Sequence, residues 1–178
     1  MSMTIALALV IGLVSWGYKA ILRPPPPRIC GSPGGPPITG PRIKLRDGRH
    51  LAYKEYGVPR EEANYKIVYV HGFSSCRLDV VVASTLSPPR KMRLGFQCEL
   101  GVYIVGFDKP GYGESDPDPK RTVKSLALDV EDLADQLGLG SKFYIIGNSM
   151  GGQAVWGCLK YIPHRSENKR MTFALQPC

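Results

Sequence analysis

Hydrophobic and polar positions follow three successive patterns along this chain. From Ile5 to Trp16 the residues are apolar apart from Ser15, with no charge. Residues 3–22 make 20 positions, with Lys19 near one end where its stem can snorkel. At 1.5 Å per residue that predicts a helix able to cross about 30 Å of hydrocarbon. Residues 24–41 then hold 8 of the 16 prolines, among them Pro24, Pro25, Pro26 and Pro27, interleaved with glycines. Such a stretch cannot donate regular backbone hydrogen bonds and predicts a semi-rigid spacer. From Arg42 onward the pattern is that of a folded domain. Residues 42–46 alternate, Asp47-Gly48 is a turn pair and residues 51–56 continue as a second strand, together predicting a hairpin.

Three near-continuous apolar runs follow, at residues 66–70, 102–107 and 143–146. Strands of this kind are covered on both faces, as in a parallel sheet. Between the last two runs, Leu126, Val130, Leu133 and Leu137 are spaced by four, three and four. That spacing predicts an amphipathic helix over 122–137, with Asp129, Glu131, Asp132 and Asp135 on its wet side and Gly138 ending it. Buried strands alternating with helices predict an α/β fold: a mostly parallel sheet of about five strands, entered by an antiparallel hairpin. The expected organisation is an anchor at 1–23, a spacer at 24–41, the domain at 42–165 and an unrelated tail at 166–178.

Charge and cysteine content narrow the function classes. Lys+Arg 23 against Asp+Glu 15 gives +8, but the excess is spread along the chain and no nucleic-acid-binding motif accompanies it. A nucleic-acid partner is therefore not expected. The five cysteines, Cys30, Cys76, Cys98, Cys158 and Cys178, are scattered and form no CxxC pair. This favours a reducing compartment, or thiols that simply pack, over a disulfide scaffold. At the N-terminus the favoured reading is a single-pass membrane anchor, with Trp16 and Tyr18 in the interfacial belt and the globular part cytosolic, because the basic residues follow the apolar run. A secretory signal peptide is the alternative, although a basic leading segment and a clear cleavage site are lacking. An endomembrane such as the endoplasmic reticulum is the expected location.

The chemistry concentrates at Gly147-Asn148-Ser149-Met150-Gly151, directly after a buried run and before a helix-compatible stretch. A serine on a sharp strand-to-helix turn needs small residues two positions either side, because the backbone folds back tightly there. The turn lifts the hydroxyl above the sheet, and the helix N-terminus adds positive potential where an oxyanion would develop. The alternative is that Gly147, Gly151 and Gly152 merely permit close helix–sheet packing, with Ser149 as an N-cap. His71-Gly72-Phe73 follows the first buried run, and Asp108 to Ser115 follows the second. His71 reads as a residue shaping its loop, and Asp108 as one holding loop backbone. Gly111 and Gly113 resemble the start of a dinucleotide fingerprint, but Asp116 stands where its third glycine belongs.

With these segments in view, the sequence resembles the α/β-hydrolase fold superfamily, most closely its plant membrane-anchored members, over about residues 42–165. The resemblance implies Ser149 as nucleophile and the backbone N–H groups of Phe73 and Met150 as the oxyanion hole, with His71, Gly72, Asp108, Gly147 and Gly151 shaping the site loops. Serine rather than aspartate at the turn implies ester or thioester chemistry on a small, lipid-like acyl substrate, rather than the alkyl-enzyme chemistry of epoxide hydrolases. It implies no cofactor and no metal.

The resemblance also exposes a gap. A serine hydroxyl needs a histidine to take its proton and a carboxylate to hold that histidine. In this superfamily they follow in the order Ser, acid, His. After Ser149 only Glu167 and His164 occur, in the reverse order, and the intervening helix carries His164 about 20 Å away. His164 is therefore not expected to be the base. Residues 88–98 and 166–178 depart from the family pattern, and the C-terminal half of the fold is expected to be missing, through altered splicing or an imperfect gene model. The strand at 143–146 is then expected to have a bare edge. The alternative to a crippled hydrolase is a non-catalytic, membrane-tethered binding or regulatory module.

Overall fold

The computed structural model describes residues 3–22, 28–80, 100–141, 143–165 and 173–174. Residues 88–98, most of the tail at 166–178, Glu167, Cys98 and Cys178 lie outside the described residues.

The alternating segment folds as a hairpin of β1 (Arg42–Lys44) and β2 (His50–Gly57), with Ile43 opposite Leu51. Gly48 takes φ 89° at the turn, a conformation open to glycine without a Cβ penalty. The apolar runs form β3 (Tyr65–Val70), β4 (Val102–Phe107) and β5 (Tyr144–Asn148). The sheet order is β1-β2-β4-β3-β5-β6, with β2 antiparallel to β4 and the β4-β3-β5 centre parallel. The two-residue β6 (Phe173–Ala174) pairs only with Gly147 and Asn148. It lies beyond the stretch 143–146 that was expected bare and leaves Tyr144, Ile145 and Ile146 without a strand neighbour on that side among the described residues.

Pleating sorts the strand side chains. Val68 and Val70 of β3 and Tyr103, Val105 and Phe107 of β4 enter one core with the helices, while Tyr69 and Ile104 face the other side. The predicted helix is α2 (Val123–Gln136), and it follows α1 (Met3–Leu22) in chain order. Thr122 and Ser125 close a reciprocal capping box at its start, satisfying two backbone donors that the helix itself leaves unpaired. Leu126, Val130 and Leu133 are buried against the sheet, each worth about 1.5–3 kcal/mol. Asp129, expected on the wet face, is instead buried and ion-paired to Arg49 of the hairpin turn at 2.8 Å. Burial pushes its carboxyl above the usual range and Arg49 opposes the shift. α3 (Gly152–Tyr161) packs on α2 with Gly157 at the crossing, where a Cβ would lie 2.7 Å from the Val123 carbonyl oxygen.

Two features lie outside this core. α1 is exposed along its length and is long and apolar enough to cross a membrane. Residues 28–41, read as spacer, fold onto the loop after β4. The amides of Thr39 and Gly40 donate to Glu114 at 3.0 and 3.3 Å, and Arg42 donates to the Cys30 carbonyl at 3.0 Å. Prolines cannot offer those amides, but the residues set between them can.

Candidate active site

Three loops meet at the ends of β3, β4 and β5. The last is the serine turn: Ser149 to Gly151 form one 3₁₀ turn between β5 and α3. Ser149 sits at φ 49°, left-handed backbone that costs an ordinary residue about 1–2 kcal/mol. Its neighbours explain why it stays there. A Cβ on Gly147 would lie 2.4 Å from the Gly151 carbonyl oxygen, and one on Gly151 would lie 2.1 Å from the Val70 carbonyl oxygen. Neither contact is possible for a real side chain, so the spacing of the two glycines is a steric requirement of the turn. Gly72 approaches the same place, since a Cβ there would be 3.3 Å from the Ser149 Cβ. The structure thus brings the 71–73 loop against the serine turn. Ser149, Met150 and Phe73 are all exposed.

The loops after β3 and β4 are tied together by buried polar groups. His71 is fully buried, its Nδ1 2.8 Å from the Gly72 carbonyl, while its Nε2 accepts from the Lys109 amide at 3.0 Å. That pairing assigns a neutral ring protonated on Nδ1. Burial holds its pKa below the ordinary imidazole value, and Lys109 adds to that. Asp108, also fully buried, accepts from the Arg77 amide at 2.7 Å, from the Arg77 guanidinium and from the Glu114 amide at 3.1 Å, while Ser115 bonds its carbonyl at 2.7 Å. Gly113 has φ 48° and lies where a Cβ would collide with the Asp108 carboxylate. Gly111, at φ 81°, and Gly113 thus both take left-handed backbone in the tight turn around Asp108. Arg77 continues to Glu114 at 2.8 Å. Burial raises the Glu114 pKa, but Thr39 and Arg77 outweigh it and bring the carboxyl to about 2.

Sequence reasoning passed over Arg77, Lys109 and Glu114. No spacing announces them, because their partners arrive from other loops.

What the structure does not bring together is as informative. The chain has three histidines. His71 uses both nitrogens within its own loops. His50 pairs with Asp116 at 3.0 Å. His164, on the turn Pro163–Arg165, faces Glu131 at 3.4 Å. It follows the ten residues of α3, about 15 Å of helix. No histidine ring is hydrogen-bonded to Ser149. Among the described residues, no cluster of three or more His, Cys, Asp or Glu side chains could hold a metal ion.

The strand–turn–helix geometry coincides with a family match: a family model for the alpha/beta hydrolase fold matches residues 66–165. The chain belongs to that family. Solved structures agree with this alpha/beta hydrolase assignment. An esterase from Exiguobacterium antarcticum is 25% identical, with a TM-score of 0.53 over 72% of this chain and 42% of that one. A hydrolase from Pseudomonas aeruginosa PA01 is 23% identical, with a TM-score of 0.57 over 71% of this chain and 43% of that one. An epoxide hydrolase from Vigna radiata is 19% identical, with a TM-score of 0.56 over 79% of this chain and 41% of that one. The alpha/beta hydrolase chain thus spans about two fifths of the length of these proteins.

Proposed function

We propose that this chain supplies the nucleophile and oxyanion side of a serine hydrolase that cleaves carboxylic esters of lipid-like acyl groups, carried on the membrane by α1. Ser149 is the nucleophile, and the backbone N–H groups of Phe73 and Met150 receive the developing oxyanion. The observation that carries this reading is the strained φ of Ser149 between two glycines that tolerate no Cβ. Strain of this kind is characteristic of functional turns. Serine at that position supports ester chemistry, as does the likeness to the esterase. An apolar α1 long enough to cross a membrane supports kinship with the plant membrane-anchored members of the family. The three histidines are engaged with Gly72 and Lys109, with Asp116 and with Glu131 rather than with Ser149, so turnover well below ordinary enzyme rates is expected of these 178 residues. Its globular part faces the cytosol, and a glycosylation acceptor fused at the C-terminus is expected to remain unmodified.

A second reading rests on the same histidine geometry: a membrane-tethered module that binds without catalysis, its serine never ionising. Chemical rescue separates the two. A fluorophosphonate loses fluoride as Ser149 Oγ bonds to phosphorus, and added imidazole takes the proton. The hydrolase reading predicts an adduct on Ser149 that grows with imidazole and is absent from Ser149→Ala, read by peptide mass spectrometry. An adduct no more frequent on Ser149 than on other exposed serines would favour the binding module.

A further inference from the structure

Lys109 is an unexpected residue at this place. It is only 4% exposed, yet it carries an ammonium group at the end of β4. Its Nζ donates to the Gly72 carbonyl oxygen at 3.2 Å and lies 4.8 Å from the Tyr112 ring centroid. The same carbonyl oxygen lies 2.8 Å from His71 Nδ1, so a single acceptor takes two buried donors. Gly72 is also the residue whose Cα faces Ser149.

The geometry has a consequence for the next amide. The described backbone contains no cis peptide bond, and in a trans peptide the C=O and the following N–H point in opposite directions. Two donors that fix the Gly72 carbonyl therefore also fix the Phe73 N–H, directed away from Lys109. Hydrogen bonding to a carbonyl polarises the whole peptide and strengthens its N–H as a donor. A cation on that carbonyl does so more than a neutral group.

We infer that Lys109 is a positioning residue that, together with His71, clamps and polarises the Gly72–Phe73 peptide so that the Phe73 N–H is a preorganised oxyanion donor. The role of that N–H rests on the serine-hydrolase reading, whereas the clamp itself does not. Its energetic logic is that of a functional device rather than a stabilising one. Burial brings the Lys109 pKa down to about 8, and Arg121 pushes in the same direction, so the fold holds this charge against its own preference.

Four side chains bear on the ammonium among the described residues. Asp108 and Tyr112 belong to its own loop, Arg121 approaches from the segment before α2 with a bond to the Pro110 carbonyl at 3.2 Å, and His71 comes from the loop after β3. His71 titrates below its ordinary value and therefore below Lys109, and the Lys109 variants identify which group the amide follows.

The test is the amide signal of Phe73 in full-length protein labelled with ¹⁵N-phenylalanine and assigned by its loss in Phe73→Leu. In the wild type this amide is expected to titrate with a midpoint near pH 8, shifting upfield as the ammonium loses its proton. Ser149→Ala should titrate identically. Lys109→Arg should hold the amide at its low-pH position throughout, and Lys109→Met should hold it at the high-pH position. A flat Phe73 amide in the wild type, or the wild-type titration persisting in Lys109→Met, overturns the clamp. Phenylboronic acid, which forms a tetrahedral anion on a serine oxygen, reads the consequence. Its affinity should fall about tenfold in Lys109→Met and recover in Lys109→Arg, by the rule that one polarised donor is worth about 1.4 kcal/mol. Unchanged affinity in Lys109→Met contradicts the positioning role. Wild-type binding that survives Ser149→Ala counts against the nucleophile reading instead, and leaves the amide titration to decide the clamp.

Discussion

The loops after β3 and β4 and the turn after β5 share one end of the sheet and are built on opposite principles. Around Asp108 and His71 the buried polar groups find partners: Arg77, Glu114, Ser115, Lys109 and the Gly72 carbonyl saturate one another. Around Ser149 the backbone is crowded to the point where only glycine fits, while the hydroxyl is left exposed and bonded to no histidine. The first region is held by electrostatics and the second by sterics. Together they amount to a polar support whose partners are in place and an exposed serine on a strained turn.

If that contrast is right, the two regions should fail differently. The largest effect belongs to Asp108→Ala, which leaves the Arg77 guanidinium with Glu114 alone and takes the acceptor from the Arg77 and Glu114 amides. Losing a buried ion pair together with two amide acceptors costs about 3–5 kcal/mol, to be read from the urea midpoint. Next is Gly151→Ala, whose new Cβ meets the Val70 carbonyl. Because the Gly151 φ is an ordinary −62°, the loss of about 3 kcal/mol is purely steric, and Gly151→Ser should be at least as damaging. Ser149→Gly should move the other way. Removing the Cβ from left-handed backbone is expected to stabilise the fold by about 1 kcal/mol while abolishing any adduct at that position. A destabilised Ser149→Gly would mean that the turn stores no strain.

The smallest effect concerns pH. The buried His71 has a lower pKa in the folded protein than in the unfolded chain. Between those values the unfolded chain binds more protons. This contribution to stability is therefore complete above the ordinary imidazole value, about 6.5, and is lost as pH falls below it. His71→Asn should lack that part of the slope, whatever it costs at neutral pH. Equal slopes in the two proteins would mean that the ring is not held neutral.

The same division explains what could be read from the sequence. The turn around Ser149 was visible because its constraint is local: five consecutive residues must fold back on themselves, and the positions of Gly147 and Gly151 record it. The strands and α2 were visible through their hydrophobic periods, including Leu126, Val130 and Leu133 on the core face. Asp129 was misplaced because its burial depends on Arg49, which lies 80 positions away in the chain. Lys109 and Arg77 were missed for the same reason. A charged residue looks solvated until the fold delivers its partner. The folded half of the Pro-rich segment was missed because the amides of Thr39 and Gly40 matter only once Glu114 is beside them.

The most direct measurement is hydrolysis of p-nitrophenyl butyrate by the purified 178-residue chain, with Ser149→Ala as the reference. A serine without its base leaves at most about 10³–10⁴-fold acceleration over water from the oxyanion donors and binding, and that is the rate predicted here. Turnover of about 1–10³ per second, lost in Ser149→Ala, would show that a proton acceptor reaches the hydroxyl after all and would contradict the account.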